Sequence, residues 1–173
     1  MSGSDKYRLQ IYPEDKERLL APCYTVDIFR GINVSSLVGN MIAIMTQNNG
    51  IGIAAPQIGA SYRVIVMGGE CGIKRRVMIH PVLADISEEQ SLGEEGCLSL
   101  PGVRANILRP DSCRVIYENE GGDCIEEMMT GLEARIVQHE VDHINSTLFI
   151  DRLKPLARKI VLDRYLRRRK RGE

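Results

Sequence analysis

His139-Glu140-Val141-Asp142-His143 constrains the fold of this chain more than any other stretch. An α-helix repeats every 3.6 residues, so positions i and i+4 lie on one face. On a helix, His139 and His143 can offer both imidazoles to one metal ion. Glu140, next to the first of them, is placed to exchange a proton with a water at that metal. Leu132 and Ile136 fall on the same face, so the histidines look inward and other elements must wrap this helix. The bland alternative is a pair of helix-surface histidines, although the chain has only three histidines in all. Thr130-Gly131-Leu132-Glu133 reads as a capping box, which starts the helix at Thr130 and carries it to about Asn145.

The surrounding pattern predicts strands in the middle of the chain and helices around them. Lys6 to Tyr12 reads as a short strand ending at Pro13. Val34, Leu37, Val38, Met41, Ile42 and Met45 form one apolar helical stripe over 34–47, closed by Asn48-Asn49-Gly50. Arg63–Met67 and Arg75–Ile79 form a hairpin joined by Gly68-Gly69-Glu70-Cys71-Gly72. Ser91–Gly102 reads as a loop with a strand edge. Cys113–Glu118 and Cys124–Met129 make a second hairpin. Pro155–Lys170 is a last helix. The expected class is α+β: antiparallel strands packed around the central motif helix, with a C-terminal helix.

Composition narrows the function classes. A chain of 173 residues fits one domain, 1–173. Lys plus Arg and Asp plus Glu balance at 23 each, so no global field points to nucleic acid. The balance is uneven, however: Arg152 to Glu173 holds ten basic residues against Asp163 and Glu173. Five cysteines without a CxxC do not suggest a disulfide framework. Met1–Lys6 is polar and leads into no apolar run, and nothing has the length of a membrane span. The expected compartment is a bacterial cytoplasm, or an organelle once a transit segment is removed.

Two histidines leave a catalytic metal one ligand short. Downstream of the helix the chain offers only Asp151. Upstream, Glu95-Gly96-Cys97-Leu98-Ser99 offers Cys97, which a metal would hold as thiolate. Three segments now stand in order: Gly50-Ile51-Gly52-Ile53-Ala54-Ala55-Pro56-Gln57, Glu95-Gly96-Cys97-Leu98-Ser99 and Gln138-His139-Glu140-Val141-Asp142-His143. Together they resemble the peptide deformylase signatures GxGxAAxQ, EGCLS and HExDH. The resemblance spans roughly Tyr12 to Leu153, with departures at His80-Pro81, where many relatives have Asn-Pro, and at Ile144-Asn145-Ser146.

That resemblance implies a hydrolase that removes the formyl group from N-formyl-methionyl nascent peptides. It implies Cys97, His139 and His143 as metal ligands and Glu140 as the proton carrier. Gln57 and the backbone N–H of Leu98 would stabilise the developing oxyanion. Ile51 and Gly52 would form a main-chain rail for the peptide, where a missing Cβ permits close approach. Leu132 and Ile136 would line the methionine pocket or serve as plain core. The implied cofactor is one divalent ion, Fe(II), with Zn(II), Ni(II) or Co(II) as alternatives. Asp142, off the ligand face, would pair with Arg104 or lie solvated. The run Arg167-Arg168-Arg169-Lys170-Arg171 is either a frayed helix end or a ribosome-docking surface. Two rival readings are a zinc endopeptidase that does not need Cys97 and a non-catalytic, metal-stabilised binding module.

Overall fold

The computed structural model describes residues 7–27, 32–69 and 71–172. Its elements run α1 (Lys16–Leu19), α2 (Val34–Gln47), β1 (Gly52–Ala54), β2 (Val64–Met67), β3 (Arg76–Ala84), β4 (Gln90–Cys97), β5 (Leu100–Pro110), β6 (Ser112–Glu118), β7 (Cys124–Thr130), α3 (Gly131–Ile144) and α4 (Pro155–Lys170). Short 3-10 turns occupy Ala55–Ile58 and Phe149–Arg152. Strands β1-β2-β3-β6-β7 form one antiparallel sheet, and β4 and β5 a separate antiparallel pair. This is the expected α+β class.

Strand alternation explains why the sheet carries a helix on each face. All four residues of β2 are buried. Ile65 and Met67 pack with Ala134, Val137 and Val141 of α3, whereas Val64 and Val66 pack with Leu37, Val38, Met41 and Met45 of α2. The motif helix is therefore enclosed. A third core, holding Leu100, Ile107, Leu148, Phe149 and Tyr165, ties the β4–β5 pair to α4.

Three expectations need correction. Residues 7–12 form no strand; Lys6 lies outside the described residues, as does Glu70 of the first hairpin turn. The segment is instead pinned at two points, Gln10 N–H to Gln57 O (2.7 Å) and Tyr12 N–H to Ser99 O (2.9 Å). The stretch 91–102 is no loop but most of β4 and the start of β5. Its polar, glycine-rich sequence hides a strand because Glu95 turns inward and is neutralised there. Thr130 is the N-cap of α3, yet its side chain makes no capping bond, and Glu133 pairs with Arg76 at 2.8 Å instead.

Candidate metal centre and active-site cleft

Cys97 ends β4, where the pairing with β5 shifts register between Gly96 and Cys97. The extra residues of that shift fall in β5, so the alternation along β4 continues and turns Cys97 the same way as Glu95, toward α3. Cys97 Sγ lies 3.2 Å from His143 Nε2. The ligand atoms of Cys97, His139 and His143 all lie within 4.8 Å of one another. Metal–ligand bonds of ~2.0–2.3 Å hold tetrahedral ligand atoms on the order of 3.5 Å apart, so this triangle is of the right size for one ion. The donor set also fits: soft sulfur and two imidazoles suit zinc or iron. Asp151 is not in the group; it accepts from Leu148 N–H and Arg158.

The imidazoles are oriented from behind. His139 Nδ1 faces Glu95 Oε2 at 2.9 Å, which turns Nε2 toward Cys97 and His143. Phe149 stacks on the His139 ring. Glu95 also takes both arms of Arg109 (2.9 Å each) and Arg135 (2.8 Å). Burial pushes the Glu95 carboxyl up, but Arg109 and His139 outweigh it and bring it to about 2. Arg109 also reaches Asp142 (2.6 Å), which Arg152 holds from the other side. Asp142 is thus buried and paired with Arg109 and Arg152. Arg104 pairs with Glu94 instead, so neither expectation for Asp142 holds.

Arg109, Arg135 and Arg152 are the residues that sequence reasoning missed. One signal was available: residues i and i+2 of a strand share a face, so Glu95 and Cys97 point the same way. The same parity along β5 buries Val103, Ile107 and Arg109. A buried carboxylate near the metal ligands demands a cation.

Glu140 is buried in the cleft, and its Oε2 has no hydrogen-bond partner among the described residues. Burial raises its pKa to about 7, against the opposing pull of His139 and His143. A carboxyl poised there can accept and return a proton near neutral pH. The Cys97 thiol, pushed up by burial, is pulled down further by His143 and His139, to about 5. Gly52 is required beside Glu140: a Cβ there would fall 2.4 Å from Glu140 Oε1. The Gln57 side chain accepts from Ala54 N–H (2.8 Å) and aims its NH2 at Cys97 Sγ (3.4 Å) and Ser99 Oγ (3.2 Å).

Gly52, Gln57, Cys97, His139 and Glu140 line one cleft of about 1100 Å³, together with Ile51, Leu98, Leu132 and Ile136. Leu132 is 51% exposed, so it belongs to the cleft mouth and not to the core, whereas Ile136 serves both core and cleft. A family model described as polypeptide deformylase matches residues 8–159. The chain belongs to the polypeptide deformylase family. It is a metal-dependent hydrolase that removes the N-formyl group from newly made proteins. The peptide deformylase of Fusobacterium nucleatum is 35% identical over 159 residues, covering 90% of this chain and 88% of its own. A plant peptide deformylase structure superposes with TM-score 0.87 at 30% identity, covering 100% of this chain and 94% of its own. The Acinetobacter baumannii enzyme, solved with Met-Ala-Ser bound, gives TM-score 0.78 at 35% identity over 87% of this chain and 99% of its own.

Two of the positions singled out in the sequence carry an unusual backbone. His80 and Ser146 adopt φ of 52° and 58°, in the left-handed region. Histidine is among the non-glycine residues enriched in that conformation. The His80 ring accepts from Val26 N–H (2.7 Å) and meets Glu118 (3.1 Å).

Proposed function

We propose that Cys97, His139 and His143 hold one divalent ion, Fe(II), and that Glu140 is the proton carrier of deformylation. When bound, the ion supplies Lewis acidity, polarising the formyl carbonyl and acidifying the attacking water. Glu140 takes the proton from that water and delivers it to the departing amine nitrogen. Its burial and pKa near 7 suit both halves of this transfer. The Gln57 amide and Leu98 N–H donate to the formyl oxygen as it gains charge. Gln57 then exchanges its contact with Cys97 or Ser99 for the substrate. Ile51 and Gly52 carry the peptide backbone, and the methionine side chain lies on Leu132 and Ile136. The Acinetobacter enzyme was solved with Met-Ala-Ser bound, a peptide that begins with methionine, which supports a methionyl substrate.

The observation that carries the reading is the buried Glu140 carboxyl, whose Oε2 has no hydrogen-bond partner among the described residues, beside a Cys–His–His triangle in a glycine-walled cleft. The test is formate release from formyl-Met-Ala-Ser by protein loaded anaerobically with Fe(II), Ni(II) or Zn(II). Glu140→Gln abolishes release while the metal stays bound. Equal activity in that variant refutes the role of Glu140, and Zn(II) matching Fe(II) refutes the choice of iron.

Residues 1–173 act as one catalytic domain with α4 as its last element. No helix among the described residues is long and apolar enough to cross a membrane, and a bacterial cytoplasm or an organelle fits the reaction. The basic end of α4 docks on the ribosome. Equal ribosome pelleting at low salt by full-length protein and by protein ending at Tyr165 eliminates that docking.

A further inference from the structure

The cleft runs from the metal centre out along one face of α4. Ile160, Arg164 and Arg168 line both the cleft and a shallower groove of about 440 Å³, which Arg167 and Arg171 extend. A charge run at a helix C-terminus is ordinarily just solvated and favoured by the helix dipole. Here α4 is fastened instead. Tyr165 is 1% exposed and donates to Tyr12 O, and Arg169 pairs with Glu14 at 2.6 Å. Arg164 and Arg168 therefore stand on a fixed wall of the same cleft.

The local charge is unbalanced. Arg104, which also lines the cleft, is offset by Glu94 at 3.0 Å. Among the described residues, Asp163 is the one acid lining the groove, against four arginines. Arg168 donates to Gly102 O at 3.2 Å. Arg164 is exposed and makes no ion pair or hydrogen bond among the described residues. A volume of about 1100 Å³ exceeds what a formyl-methionine needs, since drug-sized ligands occupy pockets of roughly 300–1,000 Å³. Extended chain advances about 3.3 Å per residue, so the residues after the methionine lie along this wall.

We propose that Arg164, with Arg168 beside it, forms a subsite for carboxylate side chains of the formylated peptide downstream of its first residue. The assignment rests on the reading of the cleft given above. The guanidinium of Arg164 attracts Asp or Glu there and repels Lys. Each exposed charge pair is worth up to about fivefold. Exchanging two acidic for two basic residues therefore changes kcat/KM by about tenfold at low salt.

The test uses full-length Ni(II)-loaded protein and the peptides formyl-Met-Ala-Asp-Asp-amide, formyl-Met-Ala-Ser-Ser-amide and formyl-Met-Ala-Lys-Lys-amide. The amides remove the terminal carboxylate as a source of attraction. Wild type is expected to prefer Asp-Asp over Lys-Lys about tenfold, through KM, with the gap shrinking severalfold in about 0.5 M salt as screening shortens the reach of charge. Arg164→Glu, an exposed change, is expected to reverse the order. Arg164→Gln is expected to flatten it. Equal kcat/KM for all three peptides in wild type overturns the subsite, as does discrimination that survives Arg164→Glu. Calorimetric binding of the deformylated peptides Met-Ala-Asp-Asp-amide and Met-Ala-Lys-Lys-amide gives a readout independent of turnover. Formate release from none of the peptides would count against the catalytic reading alone. The subsite then stands if the acidic product binds tighter in wild type and not in Arg164→Glu, and falls if the two bind equally.

Discussion

Gly52→Ala isolates the geometry on which the proposed mechanism depends. The added Cβ would lie 2.4 Å from Glu140 Oε1 and 3.0 Å from both Glu140 Cδ and Ile136 Cγ2. Ordinary contact begins at 3.4 Å, so the carboxylate must withdraw by about 1 Å, the difference between 3.4 and 2.4. Gly52 does not occupy the left-handed region, so the backbone accepts alanine and the conflict is purely one of side-chain space. The obstructing atom is the end of a side chain, which can turn away at little cost to folding. Displacing a reacting group by 1 Å costs about 10²-fold in rate. The expected result is a fall of about 10² in kcat for formyl-Met-Ala-Ser, with metal content at wild-type level and a thermal midpoint shifted by a few degrees at most. Steady-state formate release, metal analysis and a thermal melt on one preparation measure all three. A variant within threefold of wild-type kcat refutes the argument, because Glu140 would then work from a position this geometry does not define.

Four further outcomes follow from the buried network and the cysteines. Arg109→Met leaves Glu95 and Asp142 short of their shared cation and is expected to cost about 3–5 kcal/mol in denaturant unfolding of the metal-loaded protein; a loss under 1 kcal/mol contradicts the role given to Arg109. Glu95→Gln weakens the acceptor behind His139, so chelator competition should show metal affinity reduced 10–100-fold. The Glu95 carboxyl, at about 2 in the folded protein against about 4.3 unfolded, adds stability that is fully present above the unfolded value and is lost as pH falls toward 2. The acid limb of the wild-type stability profile should therefore be steeper than that of Glu95→Gln. Exposed Cys71 and Cys124 should react quickly with a thiol reagent, whereas Cys23 and Cys113, pushed up to about 11 by burial, wait for unfolding. Chelation should release one further fast thiol, Cys97, and its reaction at equal rate with metal bound would argue against ligation.

Much of this protein was legible in its sequence, for reasons of periodicity. The i, i+4 spacing of His139 and His143 placed both on one helix face. The apolar stripe of α2 follows from the 3.6-residue repeat, and the β2–β3 and β6–β7 hairpins from alternation and turn residues. Local pattern erred where a distant partner changed what a residue could afford. The β4 sequence looks like a loop because Glu94, Glu95 and its glycines are polar or small. Only Arg109 and Arg135, brought in from β5 and α3, make a buried Glu95 tolerable, and Gly93 is small because a Cβ there would strike Arg135 at 2.7 Å. Thr130 lost its expected capping partner because Arg76 of β3 claimed Glu133.

The sequence by itself singled out the candidate ligands and proton carrier, since ligand type and helical spacing are local properties. Only the tertiary structure decided how those residues are held. Asp142 is paired with Arg109 and Arg152 and not with Arg104. Leu132 stands at the cleft mouth while Ile136 turns to the core, and Arg164 and Arg168 of α4 line the same cleft. The physical reason is that charge neutralisation and burial are properties of pairs. A carboxylate's partner is whatever the fold delivers within 3 Å or so, and no spacing along the chain encodes that distance.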